Sequence, residues 1–272
     1  MKFQHLRNSL ILSVIMMVNN SFAQSNGMTP GIREENISYQ SDGMALSGFV
    51  AFDENVKGTR PVVLIVHEWW GLNDYSKARA RQLAELGYLA MAVDMFGQGK
   101  IAANPKEAQE LTKPFYTDPK LGKSRLDAAI KKIKENPRAD KAKIAAIGYC
   151  FGGSVVLNAA KLGAGLKGVV CFHGGLAGVA ADQKLLKAKI LVCNGASDKF
   201  VSQQDVNAFK RQMDSIGAVY TFKSYANATH AFTNPDATRL GKEFNLPIEY
   251  NAEADHDSWN DMKTFLSGIF AK

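Results

Sequence analysis

The strongest constraint on the fold is PVVLIV at residues 61–66, a run that is apolar without interruption. A strand with one wet face alternates apolar and polar residues, whereas a strand covered on both faces of a parallel sheet is apolar throughout. A second buried run stands at 88–93, and strand segments continue at 143–147, 166–172, 188–193 and 219–225, alternating with helical segments near 75–86, 124–135, 154–162, 203–215 and 257–270. This alternation predicts an α/β fold with a largely parallel central sheet and helices on both faces. Residues 35–53 alternate around Ser41-Asp42-Gly43 and read as an opening β-hairpin. Residues 97–122 break the rhythm with three prolines, and are expected to form an excursion over one face, partly helical at 105–111.

The N-terminus is read separately. Lys2 and Arg7 precede an apolar run at 10–18, and Ser21-Phe22-Ala23 offers small residues where a signal peptidase cuts. Residues 1–23 are expected to be a signal peptide and 24–34 a flexible segment, leaving 35–272 as one domain in an exported, periplasmic or secreted protein. The apolar run is too short to span ~30 Å of hydrocarbon, so no stable membrane insertion is expected after cleavage. The formal charge of +7 falls by two with the leader, and the remaining lysines are scattered among acids. That pattern lends no support to a nucleic-acid partner. Three cysteines at 150, 171 and 193 build neither a disulfide framework nor a C-x-x-C motif.

Ligands bind at the carboxyl ends of strands in open parallel sheets, so the residues just after each apolar run are the ones to inspect. They are HEWWG at 67–71, GYCFGG at 148–153, a loop containing Asp198, and a loop ending at His230. GYCFGG has the strand, glycine-flanked small residue and helix order of a nucleophile elbow, with Cys150 where a serine is usual. Cys150, Asp198 and His230 follow the chain order nucleophile, acid, histidine. A thiol at a helix N-terminus is biased toward the thiolate. Cys171 and Cys193 lie within strands and read as buried small residues. His67 and His173 are alternatives to His230 but read better as packed neighbours, and Asp236 is the alternative to Asp198. The backbone N–H groups of Phe151 and Trp69 are candidates for an oxyanion hole.

HEWWG (67–71), AVDMFG (92–97), GYCFGG (148–153), GASDKFV (195–201) and HAF (230–232) are together similar to the dienelactone hydrolase family of α/β-hydrolases, over essentially the whole chain beyond the leader. The resemblance implies a Cys150–His230–Asp198 triad that hydrolyses esters or lactones through a thioester. It also implies that Glu68 gates the thiol, hydrogen-bonding it at rest and moving away when substrate arrives. Members acting on dienelactone hold its carboxylate with arginines, one of them shortly after the histidine. Here HAFTN puts Asn234 at that place, and Lys106 is the candidate for the other role, with Trp70 in the pocket wall. Small esters or lactones are therefore the expected substrates, dienelactone being disfavoured, and no metal or organic cofactor is expected. The competing expectation is a non-catalytic small-molecule binding protein on the same fold.

Overall fold

The computed structural model describes residues 31–271. The expected signal peptide lies outside them. The first two strands, β1 (Ile32–Ser41) and β2 (Met44–Asp53), form the antiparallel hairpin, turning at Asp42 and Gly43, both with positive φ. Because Ile32 pairs with Asp53, the sheet begins before the expected boundary at 35. The chain continues through β3 (Arg60–Val66), α1 (Asp74–Glu85) and β4 (Leu89–Val93). It then forms α2 (Pro105–Thr117), α3 (Pro119–Ile133), β5 (Ala139–Tyr149), α4 (Phe151–Lys161) and β6 (Gly168–Phe172). The last part comprises β7 (Lys189–Gly195), α5 (Gln203–Ser215), β8 (Tyr220–Tyr225), α6 (Ala237–Phe244) and α7 (Ala252–Phe270).

The strands make one eight-stranded sheet in the order β1-β2-β4-β3-β5-β6-β7-β8, antiparallel only at β1–β2 and β2–β4. Alternate side chains of a strand point to opposite faces. Val62, Leu64 and Val66 accordingly pack into a core with α3, α4 and α5, through residues such as Leu126, Val156 and Phe209. Val63 and Ile65 pack on the other face with Ala80 and Leu83 of α1 and Met262 and Leu266 of α7. Both cores claim apolar residues from the same strand, which is why these runs show no alternation.

Two local expectations are corrected. Residues 97–122 are helical well beyond the expected 105–111, through α2 and the start of α3. Asn104 caps α2 by accepting from Glu107 N at 3.0 Å, and Asp118 caps α3 by accepting from Lys120 N at 3.0 Å. Pro105 and Pro119 stand in the first helical turns, where proline's missing N–H costs nothing, so two of the three apparent breakers are starters. The other, Pro114, lies inside α2. Helix α6 was not anticipated at all. Its apolar residues Ala237, Leu240 and Phe244 recur at helical spacing, but the segment is short and Gly241 interrupts it. That glycine is required by tertiary packing: a Cβ there would sit 2.5 Å from Ile248 O.

Candidate active site

The end of β5 enters α4 through a sharp turn centred on Cys150, whose backbone stands at φ 53°, ψ −116°. This left-handed φ is uncommon for a non-glycine residue. The turn is possible because the flanking glycines permit close backbone approach. A Cβ on Gly148 would lie 2.1 Å from Gly152 O, and one on Gly152 would lie 2.2 Å from Val66 O. The elbow is thus pressed against the carboxyl end of β3. Cys150 N–H donates to Phe172 O at 3.0 Å and to His173 Nδ1 at 3.1 Å. His173 Nε2 is 2.7 Å from Thr233 Oγ1, which is in turn 2.7 Å from the Tyr75 hydroxyl. Burial, with the His230 and Arg79 charges, holds the His173 pKa well below the ordinary range. The ring is therefore neutral and can accept the Cys150 N–H.

Three side chains from three loops meet at this turn. His230 Nε2 is 3.1 Å from Cys150 Sγ, and His230 Nδ1 is 2.9 Å from Asp198 Oδ2. The Asp198 side chain is fully enclosed, and its other oxygen accepts from Phe200 N at 2.8 Å. The His230 ring sits edge-on to His173 and Phe200, at centroid distances of 5.3 and 4.9 Å. Burial opposes charge on His230, but the Cys150 sulfur and the Asp198 carboxylate outweigh it and hold the pKa up at about 10. A proton on this imidazole is thereby favoured at neutral pH, beside the sulfur. Asp236, the alternative acid, instead precedes α6 and pairs with Arg239.

The other histidine near the site is committed elsewhere. His67 is fully buried, its Nδ1–H donating to Glu68 O at 2.5 Å and its Nε2 accepting from Met95 N at 3.3 Å. Burial depresses its pKa to about 4, so it stays neutral and holds the β3 loop. Cys171 and Cys193 are fully buried free thiols. Burial pushes Cys171 up to about 12 and raises Cys193 as well.

The site opens into a cavity of about 290 Å³ lined by Cys150, His230, Glu68, Asn234, Trp69 and Trp70, among others. Phe151 also lines it and, as the first residue of α4, has an N–H with no acceptor inside the helix. Lys106 does not belong to this wall. It stands exposed in the first turn of α2, and the face α2 turns to the cavity carries Gln109, Thr112 and Tyr116. Leu240, Leu246 and Ile248, from α6 and the loop after it, complete the far side and were missed with α6 itself. Their signal was the Ala237, Leu240, Phe244 spacing.

Glu68 is 3% exposed and accepts from Asn234 Nδ2 at 2.6 Å. The gating role inferred from the family resemblance would bring the carboxylate to the thiol; here it is held by Asn234, while Sγ faces His230. Burial raises Glu68 to about 7, against the lowering effects of Asn234, His230 and Arg79. Its native pKa exceeds the unfolded value of 4.5, so the folded chain binds more protons between these values and its stability falls as pH rises through them. Glu68→Gln is expected to remove this loss, gaining up to about 3 kcal/mol over the wild type at pH 8 and much less at pH 5. Thermal midpoints of both proteins at the two pH values check this; a pH-independent difference would contradict it.

A largely parallel sheet, a strained elbow at the carboxyl end of a central strand and a loop histidine in contact with it define an α/β-hydrolase. A profile of the dienelactone hydrolase family matches residues 46–270, and the chain belongs to that family. The protein is thus a hydrolase of the dienelactone hydrolase type. It is similar to the crystal structure of a dienelactone hydrolase-like promiscuous phosphotriesterase from metagenomic libraries, with 32% identity and a TM-score of 0.83 over 88% of this chain and 99% of that one. A solved structure named m3DLH is 30% identical, with a TM-score of 0.84 over 88% and 99% of the two chains. A protein of Methylorubrum extorquens, provisionally named carboxymethylenebutenolidase, is 28% identical over 77% of this chain and 72% of its own.

Proposed function

We propose that the protein hydrolyses small esters or lactones with Cys150 as nucleophile, His230 as acid and base, and Asp198 as the group that orients the imidazole. The observation that carries this reading is the chain Sγ–Nε2–Nδ1–Oδ2, with contacts of 3.1 and 2.9 Å, opening on the cavity. Sγ, its proton on His230 Nε2, attacks the carbonyl carbon, and the carbonyl π pair moves to oxygen. The N–H groups of Phe151 and Trp69 are the donors proposed for that oxyanion. When the oxyanion collapses, the C–O bond to the leaving group breaks, and the departing oxygen takes the proton from Nε2. Water then attacks the thioester, giving its proton to the now neutral imidazole, and collapse expels the thiolate and leaves the carboxylic acid.

The test is capture of the thioester. Wild-type protein mixed with p-nitrophenyl butyrate and quenched in acid within milliseconds is expected to gain one butyryl mass, located by peptide mapping on Cys150. Rapid p-nitrophenol release with an adduct elsewhere, or with none at any quench time, would oppose covalent catalysis by this thiol. For location, export with cleavage after Ala23 is the proposal, and the N-terminal sequence of the exported protein tests it.

A further inference from the structure

The charge in the cavity carries an inference about substrate that rests on the hydrolase reading and narrows it. Among the described residues no lysine or arginine lines the cavity. Its carboxylate, Glu68, lies in the wall beside Trp69 and Trp70 and is satisfied by Asn234 rather than by a cation. The nearby cations are already engaged, the His230 imidazolium in the wall itself by Asp198 at 2.9 Å and the Cys150 sulfur at 3.1 Å. Arg79 lies behind the site, donating to Thr233 O at 2.7 Å and to Asp255 Oδ1 at 2.5 Å. Arg239 faces a separate cavity across Leu240 and Asn234, paired with Asp236 and Glu243. What remains along the walls is largely aromatic and aliphatic, with the amide of Gln109 and the hydroxyls of Thr112, Tyr116 and Ser154 as neutral polar groups. A substrate carboxylate placed here would lose its water, meet no cation that is not already paired, and face Glu68.

We infer that the substrate is a small uncharged ester or lactone with apolar substituents on both sides of the scissile bond, and that carboxylate-bearing analogues are rejected at binding. The volume of about 290 Å³ is at the lower end for ligand cavities, which sets the upper size.

Binding is measured on Cys150→Ala, so that turnover does not enter. Three probes are used: phenyl crotonate, monophenyl fumarate, in which a carboxylate replaces the crotonate methyl, and 4-carboxyphenyl crotonate, with the charge on the leaving group. Calorimetry is expected to give a Kd for phenyl crotonate roughly 100-fold below that of either carboxylate, the scale of an uncompensated buried charge. A gap under about tenfold for either carboxylate would overturn the inference. Leu240 is half-buried at the far wall, where a lysine can extend its ammonium to water. Leu240→Lys is expected to narrow the gap at least about tenfold and Leu240→Gln to leave it wide; equal effects of the two would show that polarity rather than charge sets the discrimination, overturning the inference. Hydrolysis of phenyl crotonate by the wild type is scored separately. Its absence alongside a wide binding gap would remove the hydrolase reading and leave the selectivity standing.

Discussion

Cys150→Ala is expected to lower kcat/KM for an uncharged p-nitrophenyl ester by about 10⁴-fold or more, with a thermal midpoint close to that of the wild type. The size of the loss follows from the arrangement of the group. Sγ is the atom in contact with His230 Nε2, so its removal leaves the histidine and Asp198 oriented toward nothing that can attack. In hydrolases whose triad acts as a unit, loss of the nucleophile costs nearly as much as loss of the whole triad, a drop on the order of 10⁶. Stability should change little because alanine is only slightly smaller, the position is half-buried, and the φ of 53° burdens both residues alike. Cys150→Ser sharpens the test. The hydroxyl keeps the geometry but holds its proton far more tightly than a thiol, so the variant should remain at least about 100-fold below the wild type. A serine variant of equal activity would mean that proton removal from residue 150 does not limit the reaction. Steady-state kinetics with calorimetric scans of the same preparations decide both points.

Gly152→Ala is expected to destabilise the protein by about 3–5 kcal/mol, or to prevent folding outright. The added Cβ would lie 2.2 Å from Val66 O, 2.6 Å from Val66 C and 2.7 Å from His67 O. All three are backbone atoms of the central strand β3 and of the loop that carries Glu68 and Trp69, so no side-chain rotation relieves the clash. Relief requires α4 to move away from β3. That motion would separate the Phe151 and Trp69 amides and lower activity even in material that folds. Gly268→Ala provides the contrast: it lies in α7 with nothing within 4 Å of the added Cβ, and should stabilise by about 0.5–1 kcal/mol. Denaturant unfolding of the two variants measures the difference. Equal stabilities would mean that the elbow is not held by close backbone contact.

Much of this site is legible along the chain because the fold delivers it in order. The runs at 61–66 and 143–147 are apolar enough to be recognised as doubly covered strands, and the residues following them become the sheet's carboxyl edge. Cys150 is marked by the glycines that flank it in sequence, of which Gly148 serves the turn itself and Gly152 the contact with β3. Other features were harder to read, some for want of a local cue and some because their partners are remote in sequence. Pro105 and Pro119 looked like breaks because proline alone does not distinguish a helix start from an interruption; Asn104 and Asp118, as caps, make the distinction. Lys106 was assigned to the cavity from its place in the 97–122 segment, but the helical phase of α2 turns Gln109, Thr112 and Tyr116 inward instead. Glu68 and Asn234 were each singled out, but not as partners, since 166 positions separate them along the chain.

The sequence by itself determined the layered architecture, the elbow and the order in which a thiol, a carboxylate and an imidazole reach one edge of the sheet. Periodicity and the clustering of glycines around Cys150 span only a few residues and can be read without knowing the fold. Only the tertiary structure decided that His230 rather than His67 or His173 meets the thiol, that Asn234 holds Glu68, and that α2 and α6 close a largely apolar cavity that no lysine or arginine among the described residues lines. Those outcomes depend on burial and on contacts between loops far apart in the chain, and burial is what determines which charges can persist there and which partners they require.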